Sequence, residues 1–143
     1  MNHSLQVKRV VKAPLDRVYR AWTDASELKK WFSPEQLTVP EAETEAISGG
    51  KYRVVMQEPG GAKHTAVGEF KEVVPNQKLV YSWKWEEAGD KADDTQMTVE
   101  FRKVSDDETE VILTHEFFGS EEAAKEHKTG WESTFNNMEK YLA

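Results

Sequence analysis

Three of the four histidines in this 143-residue chain are the side chains best suited to proton transfer. His64, His115 and His127 each fall at an inward-facing position of a predicted strand or helix. Histidine has an unperturbed pKa of about 6.5, so it can act as a general acid or base near neutral pH. Their polar neighbours, in sequence or on adjacent predicted strands, are Tyr52, Tyr81 and Glu116. An enzyme could be built from these residue types, but their spacing does not identify a catalytic site.

The motifs of several enzyme classes are absent. No pair has metal-ligand spacing, no Gly-x-Ser-x-Gly elbow occurs, and Gly49-Gly50 and Gly60-Gly61 are turn signals rather than phosphate-binding loops. The acidic segment 86–94 lacks the spaced oxygen ligands of an EF-hand, so we expect a solvated loop there rather than a calcium site. For His115 the pattern favours a histidine that is hydrogen-bonded in the core, or to a ligand, without catalysis. We therefore predict no catalytic residue, no metal and no cofactor.

The C-terminal segment 119–143 has the longest helical pattern and must position His127. Ser120 can cap this helix, and two glutamates follow where the helix dipole favours negative charge. Gly130 interrupts the helix at a cost of roughly 1 kcal/mol relative to Ala. Two interpretations of this glycine stay open: close packing against another element, or space for a ligand beside Trp131. The inward stripe, at steps of three and four, is Ala124, His127, Trp131, Phe135, Met138 and Leu142.

The rest of the chain has the pattern of one strand, two short helices and about six further strands. The first strand ends at Ala13-Pro14, one helix runs from Pro14 to about Trp22, and a second begins at Ser26. The later strands are predicted near residues 37–47, 52–57, 64–73, 79–86, 97–101 and 111–117. Alternation places Leu79, Tyr81, Trp83 and Trp85 on one face, and Val111, Leu113, His115 and Phe117 on another.

This order of elements predicts an α+β fold. We expect an antiparallel sheet that is covered on one face by the C-terminal helix. A sheet that curves around one helix need not close against it along its full length, so an apolar pocket is expected between the two.

Charge and composition restrict the partners. A formal net charge of −7 opposes binding to nucleic acid or anionic lipid, and the absence of cysteine excludes disulfides and thiolate nucleophiles. The first residues lack the apolar stretch of a signal peptide, and no run approaches the roughly 18 apolar residues of a membrane span. We expect a single domain over residues 1–143, cytoplasmic and monomeric or weakly dimeric, with no nucleic-acid partner and no membrane span.

Five segments together carry a family resemblance. They are APLDRVYRAWTDASELKKWFSP at 13–34, GGKYRVVM at 49–56, GEFKEVVPNQKLVYSWKW at 68–85, TQMTVEF with TEVILTH at 95–115, and GWESTFNNMEKYL at 130–142. The chain resembles the family named for the activator of Hsp90 ATPase homologue 1, in the Bet v 1-like or START-related (SRPBCC) superfamily. The resemblance implies a helix-grip fold, a curved antiparallel sheet wrapped around a long C-terminal helix. It also implies a cavity that in many small members binds an apolar or aromatic molecule.

The predicted function is binding of a planar aromatic, polyketide-like or lipid-like molecule in that cavity. Trp83 and Trp85 should face Trp131 across it, where ligand lining is favoured over plain packing. One alternative is an Hsp90 co-chaperone, although the chain begins at its first strand without the separate Hsp90-engaging domain of the eukaryotic namesake. The other is an enzyme that acts on a ligand in the same cavity. The full predicted lining set is Trp22, Trp31, Met56, His64, Tyr81, Trp83, Trp85, Met97, His115, Phe117, Gly130, Trp131, Phe135 and Met138.

Overall fold

Seven antiparallel strands form one curved sheet, which is the framework of the protein. The computed structural model describes residues 3–91 and 94–143. The sheet has the order β1-β7-β6-β5-β4-β3-β2, so the first strand pairs with the last and β2 forms the opposite edge. The strands are β1 (His3–Val11), β2 (Thr38–Thr44), β3 (Lys51–Gln57), β4 (Lys63–Val74), β5 (Lys78–Trp85), β6 (Thr95–Ser105) and β7 (Glu108–Phe118).

Three helices pack on this sheet. Helices α1 (Leu15–Thr23) and α2 (Ala25–Trp31) follow β1, and the long α3 (Glu121–Leu142) follows β7. The Ser120 hydroxyl accepts a hydrogen bond from the Ala123 amide at 3.1 Å, which is the predicted cap of α3. The predicted helix-grip fold is confirmed. None of the helices in the described part of the chain is long and apolar enough to span a bilayer.

The boundary between the two short helices differs from the prediction. Helix α2 begins at Ala25, and Asp24 caps it because its Oδ1 accepts from the Ser26 amide at 2.8 Å. The same aspartate ends α1, since its own amide donates to the Arg20 carbonyl. One residue therefore ends one helix and starts the next, which brings the two helices close together.

Aromatic side chains and one carboxylate hold the helices to each other. Trp31 donates from Nε1 to the Ala21 carbonyl at 3.0 Å in the core, and Trp22 packs edge-on against Trp31 and Phe32. Glu27 of α2 joins all three helices: it accepts hydrogen bonds from Arg17 and Arg20 of α1 and from Tyr141 of α3. These contacts hold the three helices together as one unit.

The end of β7 departs from strict alternation. His115 is buried as predicted, but Phe117 is 51% exposed with a φ of 71°, whereas Phe118 is only 4% exposed. Across the sheet Leu5 lies opposite His115 while His3 lies opposite Phe118, so β7 contains one extra residue, a β-bulge. The bulge turns Phe118 inward. The prediction that Phe117 faces the pocket is wrong.

Candidate ligand-binding site

A cleft of about 300 Å³ lies between the sheet and α3 and opens to solvent. Its walls come from β3, β4, β5, α3 and the segment that follows α2. This volume is at the lower end of the range of about 300 to 1,000 Å³ that is typical of small-molecule sites. The described residues that line it are Pro34, Met56, His64, Trp83, Trp85, Glu126, His127, Gly130, Trp131 and Thr134.

Gly130 borders the cleft from the middle of α3. A Cβ atom built at this position would meet no heavy atom within 4 Å. Gly68 is the opposite case, because a Cβ there would lie 1.9 Å from the Ser82 carbonyl oxygen. Close packing on another element therefore does not explain Gly130. The missing side chain leaves open space at the cleft, next to Trp131 in sequence.

A directed chain of hydrogen bonds holds Trp131 in place. The Thr95 hydroxyl has one proton, which it donates to the Trp83 carbonyl at 2.6 Å. It must therefore accept from His115 Nε2, 2.7 Å away, and this leaves His115 Nδ1 to accept from Trp131 Nε1 at 3.1 Å. Every group in the chain has one role, so His115 is fixed as a single neutral tautomer.

His115 is completely buried, and its surroundings prevent protonation. Burial, with a smaller electrostatic contribution from the neighbouring His127, lowers the pKa of His115 to about 2. The imidazole therefore stays neutral near physiological pH and does not change its protonation state there. This agrees with the interpretation of His115 as a core histidine that supports other side chains.

His127 holds a second tryptophan in the same way. Its Nδ1 lies 2.8 Å from the Ala123 carbonyl oxygen, which can only accept, so Nδ1 carries the proton. Its Nε2 then accepts from Trp85 Nε1 at 3.0 Å. The indole N–H groups of Trp85 and Trp131 are thus both engaged by histidines.

Trp83 lies between these two tryptophans at the base of the cleft. Its ring centroid is 5.4 Å from that of Trp85 at an interplanar angle of 79°, and 5.1 Å from that of Trp131 at 57°. Such tilted contacts are favourable for aromatic rings. The cleft therefore has an indole base and an indole on each side, and two of the three indoles are oriented by hydrogen bonds.

His64 and Glu58 form a hydrogen-bonded pair at the edge of the cleft. His64 Nε2 lies 2.6 Å from Glu58 Oε2, and both side chains are about half exposed. If Nε2 carries the proton toward the carboxylate, Nδ1 is left as an acceptor. Within residues 3–91 and 94–143, no group of three or more His, Asp or Glu side chains is arranged to hold a metal ion.

Comparison with known proteins places this architecture in a family. Residues 12–143 match the family described as activator of Hsp90 ATPase homolog 1-like protein. The chain belongs to this family. A crystal structure of the AHSA1 protein of Silicibacter pomeroyi is similar, with a TM-score of 0.87 and 22% identity over 97% of this chain and 96% of that one. No curated protein matches the chain.

Two further structures show the same fold. A Chromobacterium violaceum protein has a TM-score of 0.83 at 24% identity, covering 98% of this chain and 97% of its own. A Nitrosomonas europaea protein has a TM-score of 0.80 at 25% identity, covering 98% and 94%.

Fewer than half of the predicted lining residues border the cleft of this family member. Those that do are Met56, His64, Trp83, Trp85, Gly130 and Trp131. Trp22 and Tyr81 line a separate inner cavity, and Phe117 is exposed on the outside. The remaining predicted residues are buried in the core beside the cleft: Trp31, Met97, His115, Phe135 and Met138.

Four lining residues were not in the predicted lining set, although His127 was predicted to face inward, and three of the four had a signal in the sequence. Glu126 and Thr134 lie one helical turn before and after Gly130, so the i, i+4 rule places all three in one row. His127 lies one turn before Trp131 in the same way. The fourth, Pro34, follows α2 and reaches the cleft only through the packing of α2 on α3, which no local pattern records.

The inner cavity has a volume of only about 10 Å³, roughly that of one water molecule. Trp22 Nε1 and Thr44 Oγ1 are buried against it without a hydrogen-bond partner in the described part of the chain. Trp83 Nε1, at the base of the cleft, is the third such atom. All three atoms belong to residues that line one of the two cavities.

Proposed function

We propose that the protein binds a small apolar or aromatic molecule in the cleft between β5 and α3. The observation that carries this proposal is the open space at Gly130 beside three tryptophans. A helix that served only to fill the core would gain stability from a side chain there, because Gly costs up to about 1 kcal/mol relative to Ala in a helix. A glycine that faces empty space in a tryptophan-lined cleft favours a binding role.

The hydrogen bonding of the walls supports the same function. Trp85 and Trp131 are each held through a histidine, so their rings lose little freedom when a ligand binds. The unpaired N–H of Trp83 is the kind of local cost that folded proteins accept mainly at functional positions. A site that is formed before the ligand arrives is therefore supported.

A ligand screen tests this proposal. Flavonoid-like, polyketide-like and lipid compounds are screened by thermal shift, since a ligand at 100 times its dissociation constant adds about 2.7 kcal/mol to the free energy of unfolding. Hits should also change the tryptophan fluorescence, because Trp83, Trp85 and Trp131 line the cleft. A screen with no thermal shift and no fluorescence change would contradict the proposal.

The pair of His64 and Glu58 is the one specific observation in favour of an enzyme. Its imidazole borders the cleft, and a carboxylate orients it as in general-base sites. The enzyme alternative predicts that a bound compound is converted, and that His64→Gln stops the conversion without preventing binding. Recovery of each hit unchanged after long incubation would count against this alternative.

The cytoplasmic location and the monomeric or weakly dimeric state stay predictions.

A further inference from the structure

Two carboxylates lie at the cleft. Glu126 lines it from α3, and Glu58 lies at its edge against His64. Among the described residues that line the cleft there is no lysine and no arginine. Glu126 is exposed, so its side chain can turn toward a bound molecule. An anionic ligand would meet these carboxylates and no lysine or arginine among the described lining residues.

The tryptophans add to this negative character. The face of an indole ring is electron-rich, whereas its N–H edge is positive. The N–H edges of Trp85 and Trp131 are directed at His127 and His115, so the parts of these rings that line the cleft are not their positive N–H edges. Trp binds cations over its face better than Tyr or Phe does, at distances of up to about 6 Å from the ring centroid.

Open space lies where such a charge would sit. Glu126, Gly130 and Thr134 form one row on α3, and the glycine in the middle leaves the space at its own position in the cleft unfilled. A compact cationic group can therefore contact indole rings and approach Glu126 at the same time, while an attached apolar group lies deeper in the cleft.

We propose that the ligand is an organic cation, an aromatic or apolar amine or quaternary ammonium compound, held by Trp85 and Trp131 with Glu126 as the counter-ion. This inference rests on the proposed function and narrows it, because an apolar cleft alone would not distinguish a cation from a neutral molecule of the same shape.

Two probes of equal shape separate the cation from its neutral counterpart. Benzyltrimethylammonium and its carbon isostere 2,2-dimethylpropylbenzene are compared on the full chain by isothermal titration calorimetry and tryptophan fluorescence. The cation should bind about 10-fold more tightly, which is the scale of a partly desolvated cation–π contact. Phenylacetate serves as the anionic control and should bind more weakly than either.

Two glutamates on α3 supply a matched pair of variants. Glu126→Gln should weaken binding of the cation by about 2- to 5-fold, as expected for an exposed ion pair, and leave the neutral probe unchanged. Glu122→Gln removes the same charge from an exposed position one turn earlier, outside the cleft, and should change neither affinity. Both positions are exposed, so both variants should fold.

The outcomes also separate this inference from the proposed function. Equal or weaker binding of the cation relative to the isostere overturns the inference and leaves the proposed function intact. The same holds if neither probe binds while neutral compounds from the thermal-shift screen do. Identical effects of Glu126→Gln and Glu122→Gln also overturn it, because the charge then acts only at long range. If no compound of any charge binds, both proposals fail.

Discussion

At Gly130 the stability of the helix would favour a side chain, whereas ligand binding would favour the empty space. Gly130→Ala should raise the free energy of unfolding by up to about 1 kcal/mol, because the added methyl group meets no atom within 4 Å and alanine favours the helix. Gly130→Leu should abolish ligand binding without lowering the melting temperature. Gly68→Ala is the control: its Cβ would lie 1.9 Å from the Ser82 carbonyl oxygen, so we expect a loss of roughly 1 to 3 kcal/mol or more.

Calorimetry and ligand titration on these three variants give the test. A large fall in the melting temperature of Gly130→Leu would show that the leucine overpacks the interface. The glycine would then be a packing residue, and the cleft would lose its main support as a binding site.

His115 should make the stability of the protein depend on pH. Its pKa is lowered from 6.5 to about 2 in the folded state, so below pH 6.5 the unfolded chain takes up a proton that the folded chain does not. The contribution is present in full above pH 6.5 and is lost as the pH falls toward 2. Between pH 7.5 and 5.5 this residue alone should lower the free energy of unfolding by about 1.4 kcal/mol.

Urea unfolding of the wild type and His115→Gln at both pH values isolates this contribution. At pH 7.5 the variant should be less stable by roughly 1 to 3 kcal/mol, because Trp131 and Thr95 lose well-aligned partners. The difference in free energy of unfolding between the wild type and His115→Gln should be smaller at pH 5.5, because only the wild type loses the contribution of His115. If the difference in free energy of unfolding does not change with pH, His115 takes up a proton between pH 7.5 and 5.5 in the folded state as it does in the unfolded chain.

At the scale of elements, the bulge in β7 decides which aromatic ring enters the core. Phe118 is 4% exposed and Phe117 is 51% exposed. Phe118→Ala should therefore cost about 3 to 5 kcal/mol, the usual range for a buried phenylalanine, whereas Phe117→Ala should cost less than about 1 kcal/mol. Denaturant midpoints of the two variants provide the measurement. A larger loss at Phe117 than at Phe118 would argue against the bulge and for regular alternation.

For the molecule as a whole, the surface gives little support to a co-chaperone role. The large apolar side chains exposed among the described residues lie on separate elements: Val10 on β1, Ile47 before β3, Val104 on β6 and Phe117 on β7. Single exposed apolar residues are normal on protein surfaces and do not by themselves mark a protein interface. We therefore expect the purified protein neither to accelerate the ATPase of its host's Hsp90 nor to co-purify with it. If the protein accelerates this ATPase in an assay validated with a known activator, the co-chaperone role would be favoured over ligand binding.

The fold was predictable from the sequence because its signals are local. Alternation on β5 placed Tyr81 and Trp83 inward, and the three- and four-residue steps on α3 placed Trp131 and Phe135 inward. Ser120 marked the start of α3. Each of these signals depends on backbone geometry within a few residues, and such geometry shows directly as periodicity. The opposition of Trp83 and Trp131 followed from these patterns.

Tertiary structure alone decided what lies at each depth between sheet and helix. Periodicity marks a side chain as inward, but it cannot distinguish Trp131, at the cleft, from Phe135 one turn later in the core. The role of His115 also depends on distant partners, since Thr95 lies 20 residues away in sequence. The bulge at Phe117 is a matter of register between the two ends of the chain. These features arise where separate elements meet, and the shape of that space depends on all the packed side chains together rather than on any local repeat.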